Sequence, residues 1–128
     1  MEEDEDTQNE SDVPRSLHSR IKSPIQFINC TGRRVNMIWM NYRGEQVLST
    51  TLSVQSNVKV NTYVTHPWIA VDEDTSERLL LNFNDVFYPE EPTIRRVLNV
   101  RSRQVLAVRK EVLITVPGNK LQQQQQEW

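Results

Sequence analysis

The stretch 61-NTYVTHPW-68 gathers a tyrosine, a histidine, a tryptophan and two threonines within eight residues. Tyr63 and Trp68 can offer flat apolar walls with a polar edge. Threonine hydroxyls and a neutral His66 imidazole can each donate or accept a hydrogen bond. A small ring carrying one hydroxyl would fit such a lining. The competing reading is plain packing, since tryptophan and tyrosine at strand ends also fill cores.

Other chemistry has few carriers. The chain has two histidines, His18 and His66, and neither has Cys, His or carboxylate neighbours at metal-ligand spacing. It has no Gly-x-Ser-x-Gly elbow, and its three glycines cannot build a phosphate loop. Asp72, Glu73 and Asp74 sit in 72-DEDTSE-77, which reads as an exposed turn rather than an acid–base pair. These residues point away from an enzyme, a metal site or a cofactor, and towards a binding module.

The elements that must position such a site are strands. Ile25, Phe27 and Ile28 open one that ends at 29-NCTG-32. Val35, Met37 and Trp39 alternate with Asn36, Ile38 and Met40, and the turn at 43-RG-44 leads to a run over Glu45–Leu52. After 53-SVQSN-57 come Val58, Val60 and Thr62 on one face and Lys59, Asn61 and Tyr63 on the other. Further strands are expected from Trp68 to Val71, from Leu79 to Phe83, as a short edge at 86–88, and over Val112–Val116. Short strands at this spacing predict an all-β fold, a sandwich or barrel. Residues 94–110 are ambiguous: Val97 and Val105 each start a V-L-x-V unit, yet the apolar residues also fit one helical face. Five arginines there (Arg95, Arg96, Arg101, Arg103, Arg109) suit a solvated face, or contact with an acidic partner.

Composition bounds the rest. At 128 residues the chain is about one domain, and its net charge of −2 gives no basic field for nucleic acid or an acidic membrane. One cysteine, Cys30, excludes an intrachain disulfide and favours a reducing compartment. The start MEEDEDTQNE lacks the basic and apolar regions of a secretory signal, and no run approaches the roughly 18 apolar residues of a membrane span. The expectation is a soluble protein of cytoplasm or nucleus. The sequons at Asn9 and Asn29 then read as chance matches. Residues 1–14 form an acidic tail expected to be disordered, and 118–128, with 122-QQQQQ-126, a frayed low-complexity tail.

The order of residues resembles the β domain of the von Hippel–Lindau tumour suppressor family, substrate-recognition subunits of cullin-RING ubiquitin ligases. The matching blocks are 15-RSLHSR-20, 25-IQFIN-29, 38-IWMNYRGE-45, 61-NTYVTHPW-68, 79-LLLN-82, 87-FYP-89 and 114-ITVP-117. The resemblance implies a seven-stranded antiparallel sandwich over 15–117, with an insertion near 93–110. It also implies a partner, a 4-hydroxyproline peptide of hypoxia-inducible factor α subunits. Trp39, Tyr63 and Trp68 would wall the hydroxyproline ring, and Thr62 and His66 would bond its hydroxyl. Tyr42 stands where the family has phenylalanine, Asn61 where it has a groove histidine, and Arg20 matches a basic residue farther along. At Ser49 the family has a tyrosine, so one wall of the pocket is lost; the Ser49 carbonyl could still accept a peptide bond. Leu121 can be matched to the leucine of the family's elongin C box, but Gln125 falls where that box has cysteine. Hence recognition without elongin C or cullin recruitment is expected, as a protector or competitor. The alternatives are a substrate-recognition subunit or a truncated form of one, or an adaptor acting through 95–110.

Overall fold

The structure, a computed structural model, describes residues 13–98 and 103–118. Its strands are β1 (Lys22–Asn29), β2 (Val35–Met40), β3 (Gln46–Leu52), β4 (Asn57–Tyr63), β5 (Trp68–Asp72), β6 (Arg78–Leu81), β7 (Ile94–Leu98), β8 (Arg103–Ala107) and β9 (Lys110–Thr115). Among the described residues there is no helix, and so none long and apolar enough to cross a membrane.

Seven strands form one sheet in the order β3-β2-β5-β6-β9-β1-β4. The sheet rolls into a barrel-like sandwich, with β3-β2-β5 facing β4-β1-β9 and β6 joining the halves. Alternation explains the roll. In β1 every second residue, Ser23, Ile25, Phe27 and Asn29, is buried. Val35 and Met37 of β2, Leu79 and Leu81 of β6, and Val112 and Ile114 of β9 follow the same period and meet in one core. Phe27 of β1 reaches Trp68 of β5 across the middle, with ring centroids 5.1 Å apart at 56°. The expected antiparallel sandwich is present with one exception: β1 and β9 run parallel, Phe27 beside Val112.

Three expectations change in detail. The strand foreseen over Leu79–Phe83 stops at Leu81, because Asn82 and Phe83 take φ of 48° and 68°. Asn82 holds that turn: its N–H donates to the Leu113 carbonyl and its Oδ1 accepts from the Leu113 N–H, both at 2.8 Å. The short edge at 86–88 reduces to one bridge, Phe87 exchanging two backbone bonds of 2.9 Å with Trp68. The ambiguous 94–110 segment is β7–β8, an antiparallel two-stranded unit separate from the main sheet, with Val97 and Val105 on opposite strands.

Two buried polar groups brace the loops. Asn29, 2% exposed, donates to the carbonyls of Arg33 and Ser53 and accepts from the N–H and hydroxyl of Thr31. Its amide is therefore fully engaged, and this sequon is closed in the folded chain. Asp72 accepts from the N–H groups of Asp74 and Thr75 and pairs with Arg33 at 3.2 Å. The Thr75 N–H is the main cause that holds its carboxyl below the usual range, with the Asp74 N–H and Arg33 adding to it against the cost of burial. The acidic cluster is thus a capped turn.

Phe27→Ala removes the ring that couples the two halves. It is expected to lower the unfolding free energy by about 3–5 kcal/mol, read from urea denaturation.

Candidate functional site

A cavity of about 330 Å³ opens where the two ends of the sheet face each other. β4 supplies Val60, Asn61, Thr62 and Tyr63, and the turn after it supplies His66. Trp39 comes from β2, Trp68 from β5, and Val47 and Ser49 from β3. β3 and β4 are neighbours in sequence through the turn at 53–56, yet each pairs only on its inner side, so the gap between them stays open.

A bulge shapes the β3 wall. Met37 pairs with Thr50 and Ile38 with Leu48, which leaves Ser49 as the extra residue. Beyond a bulge the side-chain alternation shifts by one. Leu52 thus points to the core at one end of the strand, and Val47 lines the cavity at the other, opposite Trp39. Leu48 is left 58% exposed.

Two groups carry the polar chemistry. Thr62 is buried, and its Oγ1 accepts the indole N–H of Trp68 at 3.1 Å. That bond uses an oxygen lone pair and leaves the hydroxyl proton to be donated. His66 is also buried, and its Nε2 lies 2.9 Å from the carbonyl of His18. A carbonyl can only accept, so Nε2 carries the proton. Nδ1 of the neutral ring is then an acceptor, and it has no partner among the described residues. Burial, the largest cause, lowers the His66 pKa from 6.5, and this favours that neutral form. The ring stacks on Trp39 with centroids 5.4 Å apart and is flanked by Tyr63 at 5.2 Å.

A strap outside the sheet fixes the histidine. Ser16 donates to the Met40 carbonyl at 2.7 Å and accepts the Trp39 indole N–H at 2.8 Å. Thr65 Oγ1 accepts from the N–H groups of Leu17 and His18 and donates to the His18 carbonyl. Ser19 bonds the hydroxyl of Tyr42, and both hydroxyls lie 3.3 Å from His66 Nε2. Thr65 has φ of 81°, a strained value for a β-branched residue, directly before the histidine.

Seven of the expected site residues line the cavity: Trp39, Ser49, Asn61, Thr62, Tyr63, His66 and Trp68. Tyr42 and Arg20 do not. Tyr42 packs edge-on against His66 from behind, and the Arg20 side chain stands outside, with only its N–H near His18 Nδ1 at 3.4 Å. Sequence reasoning missed Val47 and Val60, because the bulge that turns Val47 inward leaves no signature in the sequence. It also missed the supporting roles of Ser16, Ser19 and Thr65. Arg109 is a further surprise. Its guanidinium donates to the carbonyls of Ile25 and Val60 at 2.8 and 3.1 Å and to Asn61 Oδ1 at 3.0 Å. This arginine therefore ties the β7–β8 unit to the rim of the cavity and is not part of a solvated face. The side chains of Arg95, Arg96, Arg101 and Arg103, and the segment holding Leu121 and Gln125, lie outside the described residues. Among the described residues, no three His, Cys, Asp or Glu side chains come together as a metal site.

Residues 14–95 match the family described as the VHL beta domain. The chain belongs to that family. It is also similar to "Protein Vhl" of Drosophila melanogaster, 29% identical over 104 residues that cover 81% of this chain and 58% of that protein. The chain thus spans less than two thirds of that relative's length.

The neutral, Nε2-protonated ring has a measurable consequence. In a ¹⁵N NMR titration His66 is expected to titrate below 6.5, with Nδ1 as the nitrogen that gains the proton. The folded state then binds this proton less readily than the unfolded chain. Its contribution to stability is complete above about 6.5 and is lost as pH falls through that value towards the lowered folded pKa.

Proposed function

We propose that this cavity recognises a 4-hydroxyproline residue in an extended peptide of the hypoxia-inducible factor α type. The observation that carries the reading is the paired chemistry of Thr62 and His66 at the aromatic end of the cavity. Thr62 has a proton to give, because Trp68 already occupies a lone pair of its oxygen. His66 has a lone pair to take a proton, because His18 already engages Nε2. One alcohol oxygen answers both: it accepts from Thr62 and donates to His66 Nδ1. Trp39, Tyr63 and Trp68 supply faces for the ring carbons.

The same pairing explains selectivity. A plain proline would fill the apolar walls and leave both polar groups desolvated without partners. Sites built to bond a substrate hydroxyl reject the analogue that lacks it by roughly 10⁴-fold. The peptide backbone would lie against the free strand edges beside the cavity, adding affinity with little specificity. Family membership supports substrate recognition as the purpose of such binding.

Calorimetry with an extended hydroxyproline peptide and its counterpart lacking the hydroxyl tests the reading. Tight binding of the hydroxylated form and loss of most affinity without the hydroxyl is the expected result. Thr62→Val and His66→Ala should each remove the discrimination. Equal binding of both forms, or binding of neither, would overturn the proposal.

A further inference from the structure

We propose that the β7–β8 unit is a docking edge for a partner protein, which adds to it an extended strand of mixed acidic and apolar residues. No residue of 93–110 lines the cavity, and the docking edge stands independently of the hydroxyproline reading.

Charge is the first observation. Residues 93–110 hold six basic residues, Arg95, Arg96, Arg101, Arg103, Arg109 and Lys110, and no acidic one, in a chain whose net charge is −2. The two strands read IRRVL and RQVLA. Their register sets Arg96 opposite Val105 and Arg103 opposite Leu98, so the two arginines are diagonal neighbours on one face. Diagonal neighbours lie about 7–8 Å apart, and like charges at that spacing repel unless an anion comes between them. Glu90 and Glu91 stand at the base of the unit, where Glu90 is turned to Lys110 at 3.7 Å.

The backbone is the second observation. Among the described residues β7 and β8 pair only with each other, so each has one edge without a strand partner. A two-stranded sheet alone is marginal in water. Its apolar residues are not gathered on one side either: Ile94 and Leu106 belong to opposite faces and are 56% and 51% exposed. The base, by contrast, is well held. The Val108 N–H donates to the Thr93 carbonyl at 2.7 Å, and Arg109 donates to the carbonyls of Ile25 and Val60. The unit is fastened to the sandwich and unfinished at its edges.

These features select the occupant. An added strand satisfies the edge groups, as in other cases of strand addition. A second copy of this chain would lay the same arginines edge to edge, and edge charges of one sign oppose self-pairing. The chain's own residues 1–12 include seven acidic residues, but Met1 is their only apolar one, and Asp, Asn and Glu are poor strand formers. They would answer the charge and leave Ile94 and Leu106 uncovered. Nucleic acid would find no stacking partner, because residues 93–110 contain no aromatic side chain. A strand paired with β7 meets Arg95 and Arg96 on its two faces, with Ile94, Val97 and Leu98 beside them. The complementary order along β7 is apolar, acidic, acidic, apolar, apolar.

The test is fluorescence anisotropy of the full chain with a labelled Ile-Val-Glu-Glu-Val-Ile peptide, a Lys-Lys version, and a version with Ser at the apolar positions. The expected result is binding of the Glu-Glu peptide about tenfold tighter than of the other two. The double variant Arg95→Glu, Arg96→Glu should reverse the order and prefer the Lys-Lys peptide, a charge swap that a misfolded unit would not give. Equal binding of the Glu-Glu and Lys-Lys peptides, binding of neither, or no reversal in the double variant overturns the proposal. Equal binding of the Ser version shows charge attraction alone and overturns it too. A single-stranded oligouridylate that binds more tightly and displaces the peptide makes the edge a nucleic-acid surface instead. If the peptide binds only after the seven acidic residues of 1–12 are changed to Gln and Asn, the occupant is the chain's own tail. If sedimentation shows a dimer that the peptide dissolves, the occupant is a second copy. Each of these three results overturns docking of an acidic partner strand.

Discussion

Trp68 gives its indole N–H to the hydroxyl of Thr62, and that bond joins the core of this protein to its cavity. The Trp68 ring packs on Phe27 in the centre of the sandwich, and the same side chain lines the cavity. Left unpaired, a buried N–H of this kind would cost about 1–3 kcal/mol, so the fold itself keeps the bond. The orientation of the Thr62 hydroxyl follows from it. A lone pair is consumed inside the protein, and the proton is left for whatever enters. The donor half of the proposed site is thus a consequence of satisfying the core.

The acceptor half is built from outside the sheet. The strap over residues 15–20 crosses the end of the sandwich and lays the His18 carbonyl against His66. Thr65 holds the strap through its hydroxyl while its own backbone sits at φ of 81°. Strain of that type costs on the order of 1–3 kcal/mol, and the three hydrogen bonds to the strap offset it. The strap therefore sets the tautomer of a ring that belongs to a different part of the chain. Tyr42 and Ser19 close the other side, which leaves the imidazole a single way to face a ligand.

Both halves need the sheet to remain open between β3 and β4. Edge strands tend to pair with whatever is available. Here the bulge at Ser49 breaks the regular edge of β3, and bulges serve this purpose at many sheet edges. On the β4 side, Arg109 bridges the carbonyls of Ile25 and Val60 and holds the Asn61 amide, fixing the rim. The cavity is the seam of a barrel that does not close.

The all-β class was legible in the sequence because inward residues recur every second position, as in Ile25–Phe27 and Val35–Met37, and that period is a local property of strands. The aromatic and hydroxyl lining was legible too, because Thr62, Tyr63, His66 and Trp68 lie within a few residues of one another. The parallel pairing of β1 with β9, the turn at Asn82 and the nature of residues 94–110 were not, since each depends on which distant strand supplies the hydrogen bonds. The strap's hold on His66 belongs with them: 15-RSLHSR-20 could be noticed as a block, but its contacts to Met40, Tyr42 and Thr65 span more than twenty residues. Residue types and their local period determined what the chain could bind with. Only the tertiary structure decided which lone pair and which proton remain unspent, because that depends on partners brought together by folding.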